Sequence, residues 1–408
     1  GAPTGLIGTI EIRVGDERVL STGTTPEAPD LHALLAVMGE HGVGACAMEV
    51  SSHALHQHRV DGLVFDVAGF TNLSQDHLDY HGDMAEYYAA KAQLLTPEHC
   101  RRAVVCIDDR WGQRLAAEAR VPVTTVSTRP EPDGPARPGR SADWTVTGTR
   151  AEAGTPVVDL DGPTGPLRLH CPLPGDFNVA NAVLALAMLV AAGRPATDAA
   201  AAIAAAGPVP GRMERVPGPG VPGQPLAVVD YAHSPDAVAK AVAALRGTGT
   251  PVVVVLGAGG DRDREKRPLM GAAAAEAADT VIVTDDNPRS EDPAAIRSAV
   301  LAGARAAAAR TGATVVEADD RAGAIREGVR RAWGGGVLLI AGKGHEQGQE
   351  ISGTVHPFDD RTALAGALNE TAGSPPDPGH PAETVTAGAR TVAGRGGPHP
   401  TPRKDGVQ

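Results

Sequence analysis

The sequence predicts two successive α/β domains, each built on a parallel β-sheet flanked by helices. Apolar, β-rich runs alternate with Ala-rich helical stretches along most of the chain, the pattern of strand–helix–strand units. The chain has 408 residues, enough for two or three domains that each bury a full core. A Gly- and Pro-rich cluster from Gly207 to Gly223 interrupts the alternation, which then resumes.

In the first series, Ala45–Val50, Phe65–Phe70 and Ala103–Ile107 read as buried strands with helices between them, and Asp83–Leu95 reads as a helix. From Arg129 to Arg168 the chain turns polar and rich in Gly and Pro, with short β-like pieces such as Trp144–Thr147, which predicts a hairpin excursion. Asn181–Ala192 is the longest apolar helical stretch, well short of the roughly 20 residues of a membrane span. The second series has strands at Leu226–Asp230, Val252–Leu256, Thr280–Thr284 and Val337–Ala341, with helices over Ala237–Leu245, Gly271–Ala278 and Ala294–Ala309. Residues 1–206 and 207–370 are therefore taken as the two domains. From Thr371 to Gln408 the composition is Pro, Gly, Thr and Ala with almost no large apolar residue, so nothing offsets the entropy of ordering and a disordered tail is expected.

Lys and Arg number 37 against 49 Asp and Glu, a net charge of −12 that argues against a general nucleic-acid or anionic-membrane surface. An anionic substrate must then be held by individually placed residues. Four cysteines, Cys46, Cys100, Cys106 and Cys171, form no Cys-x-x-Cys pair and are too sparse for a disulfide scaffold. With no signal peptide at its start, the chain reads as a cytoplasmic protein, and a monomer is expected.

In open parallel sheets, chemistry collects at the carboxyl ends of strands. Glu49-Val50-Ser51-Ser52-His53 places a carboxylate, two hydroxyls and an imidazole there, and Thr71–His81 is dense enough in acids and imidazoles to ligate a hard cation. Helix capping competes with that use: Ser74 or Asp76 as the cap, with Asp79 in the first turn. Gly257–Arg267 is a glycine-rich turn loaded with cations, and Asp285–Arg289 and Gly342–Glu346 end the next strands. Polar turns at three successive strand ends are hard to explain as packing.

These runs carry a resemblance. Thr24-Thr25-Pro26, Glu49–Leu55, Thr71–Gly82, Tyr231–Asp236, Asp285-Asp286-Asn287-Pro288-Arg289 and Gly342-Lys343-Gly344-His345-Glu346 together resemble the Mur ligases, over about residues 4 to 368. The resemblance implies a Mur ligase central domain with a parallel sheet, followed by a Rossmann-like C-terminal ligase domain. It also implies ATP-dependent amide ligation in peptidoglycan precursor synthesis: meso-diaminopimelate is added to UDP-N-acetylmuramoyl-L-alanyl-D-glutamate through an acyl phosphate, with Mg²⁺. Carried over by position, Glu49, His77 and a carbamylated Lys91 are the metal ligands and catalytic group. Thr24, Thr25, Ser51 and Arg59 hold the muramoyl-dipeptide, and Asn181, Arg212 and His233 contact ATP. Arg262, Asp286, Asn287, Arg289, Gly342 and Glu346 surround the diamino acid. Arg289 offers a planar fork matched to the second carboxylate that distinguishes diaminopimelate from L-lysine, unless it merely pairs with Glu291 or Asp292 at the surface.

The 408 residues contain no Gly-x-x-x-x-Gly-Lys-Ser/Thr run, the phosphate cradle of the family, and no run resembling the family's uridine-nucleotide domain. The expectation is a truncated or mis-started ligase that binds ATP weakly and whose own activity is doubtful. The alternatives are an L-lysine-adding ligase, another Mur ligase or a folylpolyglutamate synthetase, a diverged protein that dispensed with ATP, and a non-catalytic ligase remnant that binds substrate or a partner.

Overall fold

The computed structural model describes residues 3–19, 23–129, 142–152, 155–246 and 249–375. At its start β1 (Thr4–Ile7), β2 (Ile12–Val14), β3 (Glu17–Val19) and, after α1 (Ala28–Glu40), β4 (Ala45–Met48) form a sheet in the order β3-β2-β1-β4, with β1 and β4 parallel. After α2 (Ser52–His56) a second sheet begins. Its strands β5 (Ala68–Phe70), β6 (Ala103–Cys106), β7 (Val123–Ser127) and β8 (Trp144–Glu152) run parallel. The antiparallel β9 (Thr155–Asp161) and β10 (Leu167–His170) complete it, and they with β8 form the expected hairpin excursion. Residues 130–141 of that excursion lie outside the described residues. Helices α3 (Leu78–His81), α4 (Met84–Ala92), α5 (Arg110–Glu118), α6 (Asp176–Ala191) and α7 (Ala196–Ala204) complete this half, and α6 packs Val183, Leu186 and Ala187 on a core containing Val104, Val126 and Trp144.

Two features depart from expectation. Ala45–Val50 and Phe65–Phe70 belong to different sheets. The first of these runs was expected to be buried, yet Ala45, Cys46 and Ala47 are exposed, because β4 ends its sheet with β1 as its strand neighbour. The capping expectation near Asp76 also fails. Helix α3 follows His77 in a left-handed conformation (φ 56°) with no side-chain cap, and Asp76 Oδ1 accepts the His77 N–H at 2.9 Å. Asp83, by contrast, caps α4 through the Ala85 and Glu86 amides at 2.8 and 2.9 Å.

The second half comprises β11 (Glu214–Arg215), β12 (Leu226–Asp230), α8 (Pro235–Arg246), β13 (Val252–Leu256), α9 (Lys266–Ala277), β14 (Thr280–Val283), α10 (Pro293–Thr311), β15 (Thr314–Glu317), α11 (Arg321–Ala332) and β16 (Val337–Ala341). The strands order as β11-β12-β16-β13-β14-β15, parallel except for β11. Every residue of β13 and β16 is buried, as strands covered by helices on both faces require. A hairpin of β17 (Gly348–Ile351) and β18 (Thr354–Pro357) leads to α12 (Asp360–Gly373). The tail expected from Thr371 thus begins inside the last turn of α12, and residues 376–408 lie outside the described residues.

Candidate active site

Because β12, β13, β14 and β16 are parallel, their carboxyl ends share one edge of the sheet, and the turns that follow them meet there. The turn after β13 lies directly on the Asp285–Arg289 run. A Cβ on Gly260 would stand 1.9 Å from the Pro288 carbonyl, so no larger residue fits. Asp286, Asn287, Arg289, Gly342, Glu346 and Arg262 line one cavity of about 230 Å³, together with His233 and, from the first half of the chain, Asp76 and His77.

The polar groups of this cavity are tightly tied. Fully buried Lys343 donates to Asn287 Oδ1 (3.0 Å) and Glu346 Oε2 (3.1 Å), and Asn287 Nδ2 donates to the same Glu346 oxygen (2.7 Å). Arg289 Nη1 donates to the Gly260 carbonyl at 2.7 Å, and its Nε lies 3.5 Å from Glu350. The surface pairing expected with Glu291 or Asp292 is replaced by the one with Glu350. Glu291 is taken by Arg267 (2.7 Å), and Asp292 caps α10. Behind the loops, the buried Arg321 donates to the carbonyls of Asp285 and Ala341 while pairing with Asp360, which locks the ends of β14 and β16 together.

Asp76 joins the two halves. Its carboxylate lies 3.2 Å from His233 Nε2 and 3.4 Å from Lys266 Nζ. Burial opposes its ionisation, but the His233 hydrogen bond and the Lys266 charge outweigh this and hold the carboxyl well below the usual range. Burial lowers the His77 pKa, with Asp76 opposing, which favours a neutral imidazole that can donate a nitrogen lone pair.

A second cavity, of about 490 Å³, is lined by Thr24, Glu49, Ser51 and Lys91. Glu49 accepts from the Thr9 amide (3.1 Å) and hydroxyl (2.5 Å). Thr25 donates to the Glu49 carbonyl at 2.9 Å and accepts the Ser51 amide at 3.1 Å. Arg59 donates to the Thr25 carbonyl (3.0 Å), so all of the residues matched to the dipeptide form one connected group with Glu49. Lys91 Nζ sits 5.2 Å from the Tyr87 ring centre, and no carboxylate among the described residues lies within ion-pair distance of it. A third cavity of about 590 Å³ gathers Asn181, Arg212 and His233, and Arg212 stacks over Tyr231 at 4.5 Å.

Glu49 and His77 therefore line different cavities, and among the described residues no three His, Cys, Asp or Glu side chains converge as a metal cluster. A carboxylate and an imidazole are donors suited to a hard cation when further oxygen ligands join them. The motifs alone did not single out Asp76, Lys266 or Lys343 for their roles. All three lie within runs the sequence marks out, Asp76 in Thr71–Gly82, Lys266 in Gly257–Arg267 and Lys343 in Gly342–Glu346, but nothing in those runs names their partners.

Two of the three charged cavities are lined from both halves of the chain and the third from the first half alone, an arrangement in keeping with the two-domain ligase that the motifs resemble. Residues 1–189 match the Mur ligase middle domain and residues 211–344 the Mur ligase glutamate ligase domain. The chain is 51% identical over 373 residues to the UDP-N-acetylmuramoyl-L-alanyl-D-glutamate--2,6-diaminopimelate ligase of Streptomyces avermitilis, covering 91% of this chain and 71% of that protein. It is 48% identical over 381 residues to the Corynebacterium glutamicum ligase of the same name, covering 91% and 70%. A solved structure of a ligase of that name matches 91% of this chain and 73% of its own at 31% identity, with a TM-score of 0.58. The chain belongs to the Mur ligase family.

Proposed function

We propose that this chain is a MurE-type ligase that adds meso-diaminopimelate to UDP-N-acetylmuramoyl-L-alanyl-D-glutamate at the expense of ATP. The observation that carries the choice of amino acid is Arg289, a guanidinium aimed into the same cavity as Glu346 and free of Glu291 and Asp292. The D-glutamate carboxylate attacks the γ-phosphate to give an acyl phosphate and ADP, and the amine then displaces phosphate to form the amide. Thr24, Thr25, Ser51 and Arg59 hold the dipeptide end, and Asn181, Arg212 and His233 contact the nucleotide. Arg289 takes the distal carboxylate, Glu346 the distal ammonium, and Asn287, Asp286, Gly342 and Arg262 shape the pocket around them.

Glu49, His77 and a carbamylated Lys91 would hold Mg²⁺, which when bound neutralises charge on the transferred phosphoryl group. A carbamate gives Lys91 two oxygen donors and reverses its charge, and the lack of a carboxylate within ion-pair distance among the described residues supports that assignment. Labelling with ¹³C-bicarbonate should give a carbamate resonance that Lys91→Ala removes, and acetate should restore part of any activity that variant loses.

The test of the whole reading is to titrate meso-diaminopimelate and L-lysine into the protein by calorimetry, a readout that does not depend on the phosphate cradle the 408 residues lack. A preference of at least ~10-fold for diaminopimelate supports it. Equal binding of the two amino acids refutes it.

A further inference from the structure

We propose that Asp263 receives the ammonium of the head of the diamino acid that is ligated, a binding role that rests on the ligase reading above. Asp263 lies in the turn between β13 and α9 and is 9% exposed. Its Oδ1 accepts the Glu265 and Lys266 amides at 2.8 and 3.3 Å, which ties the turn into α9. Its Oδ2 is buried with no hydrogen-bond partner, and the residue lines the 230 Å³ cavity. A buried anionic oxygen left unpaired is costly, and at a ligand cavity the missing donor is most simply supplied by the ligand.

Among the cavity's acids Asp263 is the one with a carboxylate oxygen both buried and unpartnered: Asp76 faces Lys266 and His233, Glu346 Oε2 is shared by Lys343 and Asn287, Asp286 has no such orphaned oxygen, and Asp79 is exposed to solvent. A diamino acid brings two ammonium groups. The head anchored by Arg289 and Glu346 uses one set of contacts, and the second ammonium needs an acceptor elsewhere. Lys266, three residues beyond Asp263, reaches Asp76 of the first half at 3.4 Å, so Asp263 stands on the wall where the two halves meet. The head directed toward that wall is the one whose amine must reach the activated carboxylate. A carboxylate there fixes the amine's position before it gives up its proton.

Asp263→Asn tests this, because the amide keeps Oδ1 for the two backbone bonds and replaces the free acceptor with a donor. Calorimetry would use meso-diaminopimelate and (2S)-2-aminopimelate, which keeps both carboxylates and the ligated ammonium but lacks the distal one. Asp263→Asn should weaken both ligands by at least ~10-fold with an unchanged melting temperature, whereas Glu346→Gln should weaken meso-diaminopimelate alone. If the Asn variant melts lower, Asp263→Ser, which also keeps a turn-capping oxygen, must show the same joint loss. Unchanged affinity, or a loss confined to meso-diaminopimelate, overturns the assignment while leaving the ligase reading intact. Failure of the unaltered protein to bind meso-diaminopimelate overturns both.

Discussion

Replacing Arg289 by Ala should cost the protein its hold on diaminopimelate and little else. The guanidinium is set before any ligand arrives. The Arg289 amide donates to the Glu350 carbonyl (2.9 Å), the Ser352 amide donates to the Arg289 carbonyl (2.7 Å), and Nη1 is fixed on Gly260. Removing one partner of a buried charge pair costs about 2 to 5 kcal/mol. The side chain is 24% exposed and already shares its charge with Glu350, so the low end applies. A loss of about 2 kcal/mol is roughly 30-fold in Kd. Calorimetry with meso-diaminopimelate should show that loss, while L-lysine, which lacks the distal carboxylate, should change less than about 3-fold on the same scale. Arg289→Lys should recover only part of it, since an ammonium cannot reproduce the planar fork. A change below about 5-fold for diaminopimelate, or an equal loss for both amino acids, would refute the reasoning.

Two further outcomes concern stability. Arg321 and Asp360 are both fully buried and joined by two 2.7 Å bonds, so Arg321→Met strands a carboxylate and should lower the urea unfolding free energy by about 3 to 5 kcal/mol; a drop under about 1 kcal/mol would contradict the pairing. Hydrogen bonds from Arg267 hold the Glu291 carboxyl down at about 2, with burial opposing and the Asp261 amide and Arg264 assisting. The folded-state pKa is depressed, so the stabilisation is complete above the unfolded value near ~4.3 and is lost as pH falls toward 2. Discounted for solvent screening, the wild type should lose about 1 kcal/mol more than Glu291→Gln between pH ~6 and ~3, and parallel unfolding curves would exclude the effect.

What the sequence revealed depended on how locally each feature is determined. Strands β12, β13 and β16 were legible to the residue because both faces are buried, which writes an unbroken apolar run into the chain. Strands β2 and β3 were not, since three-residue segments carrying Arg13, Glu17 and Arg18 have no such run. Helix α9 was expected from Gly271 but starts at Lys266, because Lys266 and Arg267 look like surface charges and are instead buried against Asp76 and Glu291. The same limit governs the site. The residues that carry the family's motifs could be named in advance, whereas Asp76 found its partner 190 positions away and Lys343 acts through Asn287 and Glu346.

That long-range contact leads to a prediction about motion. We place the joint between the halves at Gly207–Gly211, where Gly211 adopts φ +65° and presses so closely on the second half that a Cβ would meet the His345 amide nitrogen at 2.1 Å. On the proposed assignment the dipeptide group lies on the first half and the diamino-acid cavity mainly on the second, so ligation would need the halves to close on each other while the acyl phosphate is kept from water. Asp76 supplies a contact that favours closure through His233 and Lys266. Lys266 is buried, but His233 is partly exposed and Asp76 keeps some solvent access, so the contact is worth about 1 to 2 kcal/mol, a factor of roughly 5 to 30 between closed and open forms. Asp76→Ala should therefore enlarge the radius of gyration seen by small-angle scattering without ligands, and saturating nucleotide and dipeptide should shrink the unaltered protein. A single unchanging profile across the unaltered protein, its liganded form and the variant would mean that the halves are rigidly joined and that Asp76 serves the cavity wall alone.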